Sequence, residues 1–328
     1  MKAIIAPKFG SPDVLQLKEV DKPAPGDDEV LVKVVAASLN PLDWHLLRGK
    51  PFLARLAPGL GLLRPKKAIP GVDMAGLVEA AGRNVTEFRP GDEVFGTTKD
   101  GAFAEYARAT EDALEMKPAG TTFEEAAAVP IAAFTALQAL RDKGRVRPGQ
   151  KVLVNGASGG VGTFTVEIAK HFGAEVTGVC STRNLDLVRS IGADRVIDYT
   201  REDFARSGRR YDLIIDNAAS RSLSDYKRVL APEGIYISIG YSPLLMIQLT
   251  LRRPWMSWAG GRKMLFMLAH RNKKDLAFLR ELLESRAIVP VIDRRYPLSE
   301  TPAALRYLED GHARGKVVLT VGTPGAGE

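Results

Sequence analysis

The sequence has almost no cysteine. Cys180 is the only one in 328 residues, so no internal disulfide forms and no thiolate cluster can hold a structural zinc. That excludes a disulfide-stapled secreted protein. Histidine is scarce too: His45, His171, His270 and His312 are scattered without ligand spacing. Long apolar runs are missing. No stretch approaches the roughly 20 apolar residues that cross a bilayer, and the apolar part of MKAIIAPKFGSPD is too short for a secretory signal. The expected setting is a reducing cytoplasm. What is present is ordinary for a globular chain: 45% hydrophobic and 26% charged residues. Disorder is therefore excluded, and the length suits about two domains.

Acidic residues are absent from one region. Residues 244–274 carry Arg252, Arg253, Arg262, Lys263, Arg271, Lys273 and Lys274 and no acid. These seven account for the whole net charge of +7, and the remaining Lys and Arg match the 39 acidic residues. A local excess of this kind, without a general basic coat, argues against a nucleic-acid-binding protein.

Alternating apolar and charged residues at 28–36 predict a half-buried strand. Glycines at 71, 76, 82, 91 and 96 punctuate short runs, with strand candidates at 78–80, 93–95 and 102–107. The first ~120 residues thus read as mainly β. Glu124 and Glu125 open a helix, and a second is expected over Phe134–Lys143. From Lys151 the chain alternates. Strands are expected at 151–155, 175–179, 195–197, 213–216 and 234–239, with helices at 161–172, 185–191 and 222–230. This rhythm predicts an α/β fold with a doubly wound parallel sheet. A further helix is expected at 275–285 and a closing strand at 317–321.

The sharpest motif is Asn155-Gly156-Ala157-Ser158-Gly159-Gly160-Val161-Gly162. It follows one predicted strand and opens a predicted helix. Small residues let the backbone approach a pyrophosphate, and the helix N-terminus offers free N–H groups. A bland strand–helix turn would use glycines too, but without this context. The next strand ends Val179-Cys180-Ser181-Thr182-Arg183 with no acid. An NAD site usually places Asp or Glu there for the ribose 2′-hydroxyl. Ser181, Thr182 and Arg183 would instead hold a 2′-phosphate, which predicts NADP(H). The alternative is that Ser181 or Thr182 only caps a helix and Arg183 is a solvated charge.

These residues, with Leu39-Asn40-Pro41-Leu42-Asp43-Trp44, Pro70–Gly76, Pro90–Val94, Val129-Pro130, Thr135-Ala136 and Gly315–Leu319, give nearly the whole chain a resemblance. It resembles the medium-chain dehydrogenase/reductase superfamily, and within it the zinc-free quinone oxidoreductase-like branch. The resemblance implies a Rossmann domain at 121–261 inserted into a mainly β GroES-like catalytic domain at 1–120 and 262–328. It implies an active site in the cleft between them. Zinc-dependent relatives supply Cys near position 40 and His after the Pro-Gly turn, where this chain has Asn40 and Val72. No metal site is expected.

Without a Lewis acid, alcohol oxidation loses its usual route to an alkoxide. Reduction of a quinone or an α,β-unsaturated carbonyl remains, because the acceptor delocalises the developing charge. Such a site needs orientation and a hydrogen-bond donor. The resemblance makes Asn40 the leading donor candidate; it could instead hold its own Asn-Pro turn. His45 falls where many relatives have Tyr and could donate a proton. Thr135 matches a residue near the nicotinamide. Gly240, Tyr199 and Lys316 complete the expected cofactor contacts. The remaining alternatives are an alcohol dehydrogenase-type activity and an NADPH-binding sensor with little turnover. Residues 244–274 also hold Trp255, Trp258, Met256, Met264, Phe266 and Met267. They read as a core strand with a packed loop, as a lid hinged at Gly260-Gly261, or as a patch touching anionic lipid. A homodimer is expected from the resemblance.

Overall fold

The computed structural model describes residues 1–49, 65, 68–239 and 261–322. A short hairpin opens the chain: β1 (Lys2–Ile5) lies antiparallel to β2 (Gln16–Glu19). The alternating segment becomes β3 (Glu29–Leu39), an 11-residue strand buried over most of its length. Pro41 then forces a change. It fixes φ and lacks an N–H, which suits the first position of a helix. Helix α1 (Pro41–Arg48) begins there, and Gly49 ends it in the left-handed region at φ 55°.

Four antiparallel strands follow: β4 (Asp73–Ala81), β5 (Glu93–Thr97), β6 (Tyr106–Thr110) and β7 (Leu114–Met116). Helix α2 (Phe123–Ala128) has a reciprocal cap. The Glu125 N–H donates to the Thr122 hydroxyl at 3.1 Å, and the Thr122 N–H donates to the Glu125 carboxylate at 2.8 Å. Helix α3 (Pro130–Gln138) runs into a π-turn at Ala139–Lys143. It starts four residues earlier than the sequence suggests, because Pro130 takes the first-turn position.

The alternating region then appears: β8 (Lys151–Asn155), α4 (Gly160–His171), β9 (Glu175–Cys180), α5 (Leu185–Ser190), β10 (Arg195–Asp198), β11 (Tyr211–Asp216), α6 (Leu223–Val229) and β12 (Leu230–Ser238). Strand β13 (Lys263–Phe266) adds a sixth member. All are parallel, in the order β10-β9-β8-β11-β12-β13. Strand order reverses between β8 and β11, the switch point at which such sheets bind ligands. The doubly wound expectation is thus met. Leu153, Val179, Ile214, Tyr226 and Tyr236 lie in its core.

The chain closes with α7 (Lys273–Glu284), β14 (Ile292–Pro297), α8 (Thr301–Glu309) and β15 (Lys316–Thr320). Strand β15 pairs antiparallel with β3, placing Val317 opposite Leu39. The first sheet therefore reads β14-β15-β3-β4-β5-β7, with β6 on β3. Its core includes Ile4, Val32, Phe103, Leu305 and Leu319.

Contacts divide the chain into Met1–Ile131, Arg271–Arg286 and Pro290–Glu328 as one unit, and Ala132–His270 with Ala287–Val289 as the other. The boundaries fall at 131 and 270 because α2 packs on β3 and β4, while β13 extends the parallel sheet.

Candidate functional site

Asn40 precedes Pro41 and is 3% exposed, at the end of β3. Its polar groups are tied to three neighbours. Its backbone N–H donates to the Asp43 carboxylate at 2.7 Å, and its side-chain amide donates to Asp73 Oδ2 at 2.8 Å. Its amide oxygen accepts from Lys316 Nζ at 2.7 Å. Asp73 also accepts from the Ser38 hydroxyl at 3.3 Å and from the Ile131 N–H at 3.2 Å, and its Oδ2 lies 3.7 Å from Lys316 Nζ. The pairing of β3 with β4 and β15 brings these residues together from four parts of the sequence.

Asp43, Asp73 and Lys316 are all at most 3% exposed. Two carboxyls and one ammonium share a space without water. Burial pushes Asp43 up to about 7. Burial also raises Asp73, although Lys316 and the Asn40 amide oppose it, and burial lowers Lys316 against the pull of both aspartates. The sequence pointed to Asn40 and Lys316 separately. Their direct contact, and the part of Asp73, emerge only from strand pairing.

His45 stands on α1 with its ring stacked on Trp44 at 3.6 Å. It is half-buried, and burial lowers its pKa although Glu309 raises it. A neutral imidazole follows near pH 7. Glu309 itself is held in a bidentate pair by Arg48. Thr135 is buried on α3, at 8% exposure, in the second unit.

In the second unit the glycine-rich turn joins β8 to α4. Gly156 has φ 76°, and the Gly159 N–H donates to the Gly156 carbonyl at 3.2 Å. Gly162 has no room for a side chain, since a Cβ there would stand 2.0 Å from the Gly156 oxygen. Gly159 is different: the nearest atom to a Cβ would be 3.6 Å away. Gly160, Val161 and Gly162 form the first turn of α4. Their N–H groups have no acceptor within the helix and are available to an anion.

The Ser158 and Ser181 hydroxyls accept from one amide, that of Asn184, at 2.9 and 3.3 Å. Asn184 is buried and was not foreseen; only its position four residues past β9 hinted at it. Thr182 behaves differently from expectation. Its hydroxyl donates to Asp198 Oδ2 at 2.5 Å. Arg183 and Tyr199 are exposed, and the Tyr199 N–H donates to the Cys180 carbonyl at 3.0 Å.

A buried network supports the turn from below. Asn155 Nδ2 donates to Asp216 Oδ1 and to the Tyr226 hydroxyl, both at 2.9 Å. Tyr236 donates to Asp216 Oδ2 at 2.7 Å. Both β8 and β11 thus end at one fixed carboxylate.

A dinucleotide fits this end of the sheet. Three buried polar atoms there have no hydrogen-bond partner among the described residues: Asn184 Oδ1 beyond β9, Asn217 Oδ1 beyond β11 and Ser238 Oγ at the end of β12. Orphaned atoms at three strand ends around a glycine turn suit a polar ligand. Gly240, residues 53–64 and residues 244–260 lie outside the described residues, so the lid and lipid readings rest on sequence there. Of the described basic residues, Lys273 binds Glu87 at 2.6 Å and the Leu114 carbonyl at 2.9 Å, and Arg262 binds the Ala231 carbonyl at 3.2 Å. Among the described residues no group of three His, Cys, Asp or Glu is placed to hold a metal.

Comparison with known proteins agrees with this arrangement. Residues 26–133 match the alcohol dehydrogenase GroES-like domain, and residues 191–319 match the zinc-binding dehydrogenase family. The chain is 34% identical to a quinone-oxidoreductase homolog, chloroplastic, of Spinacia oleracea, over 94% of this chain and 95% of that one. It is 33% identical to an NADPH-dependent alkenal/one oxidoreductase, chloroplastic, of Arabidopsis thaliana, over 97% and 79%. The structure of the quinone oxidoreductase from Coxiella burnetii superposes with a TM-score of 0.86 at 31% identity, over 98% of this chain and 99% of that one. This chain belongs to the medium-chain dehydrogenase/reductase superfamily, among its quinone oxidoreductase-like members.

Proposed function

We propose that this protein is an NADPH-dependent, zinc-independent oxidoreductase that transfers hydride to a quinone or an α,β-unsaturated carbonyl. The observation that carries the reading is the environment of Asn40. At the position where zinc-dependent relatives supply a thiolate, this chain has an amide bound by Lys316 and Asp73. Such a residue orients a carbonyl; it does not make a metal alkoxide. The names of the spinach and Arabidopsis relatives support the same acceptor classes, and the second names the coenzyme.

NADPH, when bound, supplies the hydride. The first-turn N–H groups of α4, with Gly156 and Gly159, would face its pyrophosphate. Ser158, Ser181 and Arg183 would hold the adenosine end, with Tyr199 beside it. Asn40, Thr135, Gly240 and Lys316 are assigned to the nicotinamide half. Asn40 keeps a second amide hydrogen beyond the one given to Asp73, and that donor would orient an acceptor carbonyl. His45, neutral near pH 7, is assigned as a hydrogen-bond donor to the acceptor, and the proton that completes the reduction comes from solvent. In an enone, hydride adds to the β-carbon, the electron pair passes to the carbonyl oxygen, and a proton then reaches the α-carbon. In a quinone, both oxygens end protonated.

No helix among the described residues is long and apolar enough to cross a membrane. We assign the protein to a reducing cytoplasm, with the buried thiol of Cys180 in support. A homodimer is assigned as well, with β13, the last strand of the parallel sheet among the described residues, as the edge that would pair. The test is NADPH consumption with a panel of quinones and enones. Turnover with either class supports the reading; no turnover with any member overturns it.

A further inference from the structure

We propose that Asp198 is a specificity-determining residue of the coenzyme site, whose carboxylate weakens the hold on a 2′-phosphate by taking up the hydroxyl protons that would otherwise bind it. The inference rests on the coenzyme reading above. The sequence places no acid at the end of β9, where an acid would select the unphosphorylated coenzyme. The fold supplies one from the neighbouring strand. Strands β9 and β10 pair in parallel, with Asp198 opposite Cys180 at their last residues. Asp198 is 5% exposed and therefore cannot turn away into solvent.

Its two oxygens take the local donors. Oδ2 accepts from the Thr182 hydroxyl at 2.5 Å, and Oδ1 accepts from the Thr200 hydroxyl at 2.7 Å and the Thr200 N–H at 3.0 Å. A carboxylate only accepts, and each hydroxyl has one proton. Both threonine protons are thus committed to Asp198. The two hydroxyl oxygens lie 3.0 Å apart, and either can donate to the other only by leaving the carboxylate. A phosphate on the Thr182–Thr200 side would find hydroxyl oxygens whose hydrogens are already taken.

Charge acts in the same direction. The Thr182 and Thr200 hydroxyls keep Asp198 below the ordinary carboxylate range, so it is ionised at neutral pH. Arg201 lies 3.7 Å away but is 74% exposed, which leaves its compensation screened. The serines contrast with the threonines. Ser158 and Ser181 accept from Asn184, which leaves their own protons for a ligand. The strand end thus has donors on the Ser181 side and a like-charged acceptor on the Thr182 side.

Binding of 2′,5′-ADP and 5′-AMP to the intact protein tests this by calorimetry, independent of turnover. Asp198→Asn is nearly isosteric: its amide would donate to the Thr182 oxygen and release the hydroxyl proton. We expect it to bind 2′,5′-ADP about five-fold tighter and 5′-AMP within about two-fold of wild type. Thr182→Val, which removes a hydroxyl already spent, is expected to leave 2′,5′-ADP affinity within about two-fold. Unchanged or weaker 2′,5′-ADP binding by Asp198→Asn overturns the inference. So does a loss of about ten-fold in Thr182→Val, which would show the hydroxyl donating to the ligand. If wild-type protein binds neither probe, the coenzyme reading fails and this inference with it. If wild type binds both and the variants behave alike, this inference alone fails.

Discussion

Lys316 is the residue on which the most buried chemistry converges. Its ammonium holds the Asn40 amide oxygen and faces Asp73 in a space closed to water. Removing one partner of a buried ion pair leaves the other uncompensated, which costs about 3–5 kcal/mol. Lys316→Met is therefore expected to lower unfolding free energy by about that amount in urea titration. The double variant Lys316→Met with Asp73→Asn should recover part of the loss. A single variant as stable as wild type would show that the pair carries no charge in the folded protein.

Glu167 offers a second test at this scale. It lies on α4, buried, with one oxygen accepting from the Val289 N–H at 3.0 Å and the other without a hydrogen-bond partner among the described residues. Burial pushes its carboxyl from an ordinary 4.5 up to about 8. The folded protein then keeps a proton that the unfolded chain releases. Its contribution is fully present below pH 4.5 and is lost as pH rises towards 8. Glu167→Gln retains the acceptor for Val289 and should be more stable than wild type at pH 9 by about 1–3 kcal/mol. It should be no more stable at pH 4. Parallel stability curves for the two proteins would contradict the assignment.

At the scale of elements, the glycine turn separates folding from binding. A methyl at Gly162 would stand 2.0 Å from the Gly156 carbonyl, whereas one at Gly159 would meet only ordinary contact. Gly162→Ala is expected to reduce both the melting temperature and NADPH affinity. Gly159→Ala should keep the melting temperature and lose NADPH affinity by about ten-fold or more, because its methyl enters the space offered to phosphate. Equal NADPH affinity in Gly159→Ala and wild type would remove the turn from the coenzyme site.

How much of this was legible in the sequence follows element type. Strand β8 and helix α4 are visible because a short apolar run meets a glycine turn and then a 3.6-residue period. Strands β13 and β14 are not, because Lys263, Asp293, Arg294 and Arg295 give them no clean alternation. Both lie at sheet edges, where exposure tolerates charge. Asn40, Lys316 and the glycines were readable as motif residues. Asp73, Asp198 and Asp216 gain their meaning from partners distant in sequence that pairing register brings near, as when Asp73 meets Lys316 or Asp198 is set beside Cys180. A local pattern carries no such information.

At the scale of the whole molecule, the nested order of the chain brings its last strand back to the sheet of the first unit: β15 closes against β3. It also changes the meaning of the net charge. Lys273 and Arg262, part of the basic excess, are bound to carboxylates and carbonyls of the fold. That part of the charge is engaged by the fold. Hydride delivery to the β-carbon is what separates an enone reductase from an alcohol dehydrogenase. Deuterium from the transferable position of labelled NADPH can be followed into an enone by NMR. One deuterium at the β-carbon, with the carbonyl retained, is expected. Deuterium on the carbinol carbon, or none in any product, would contradict that assignment.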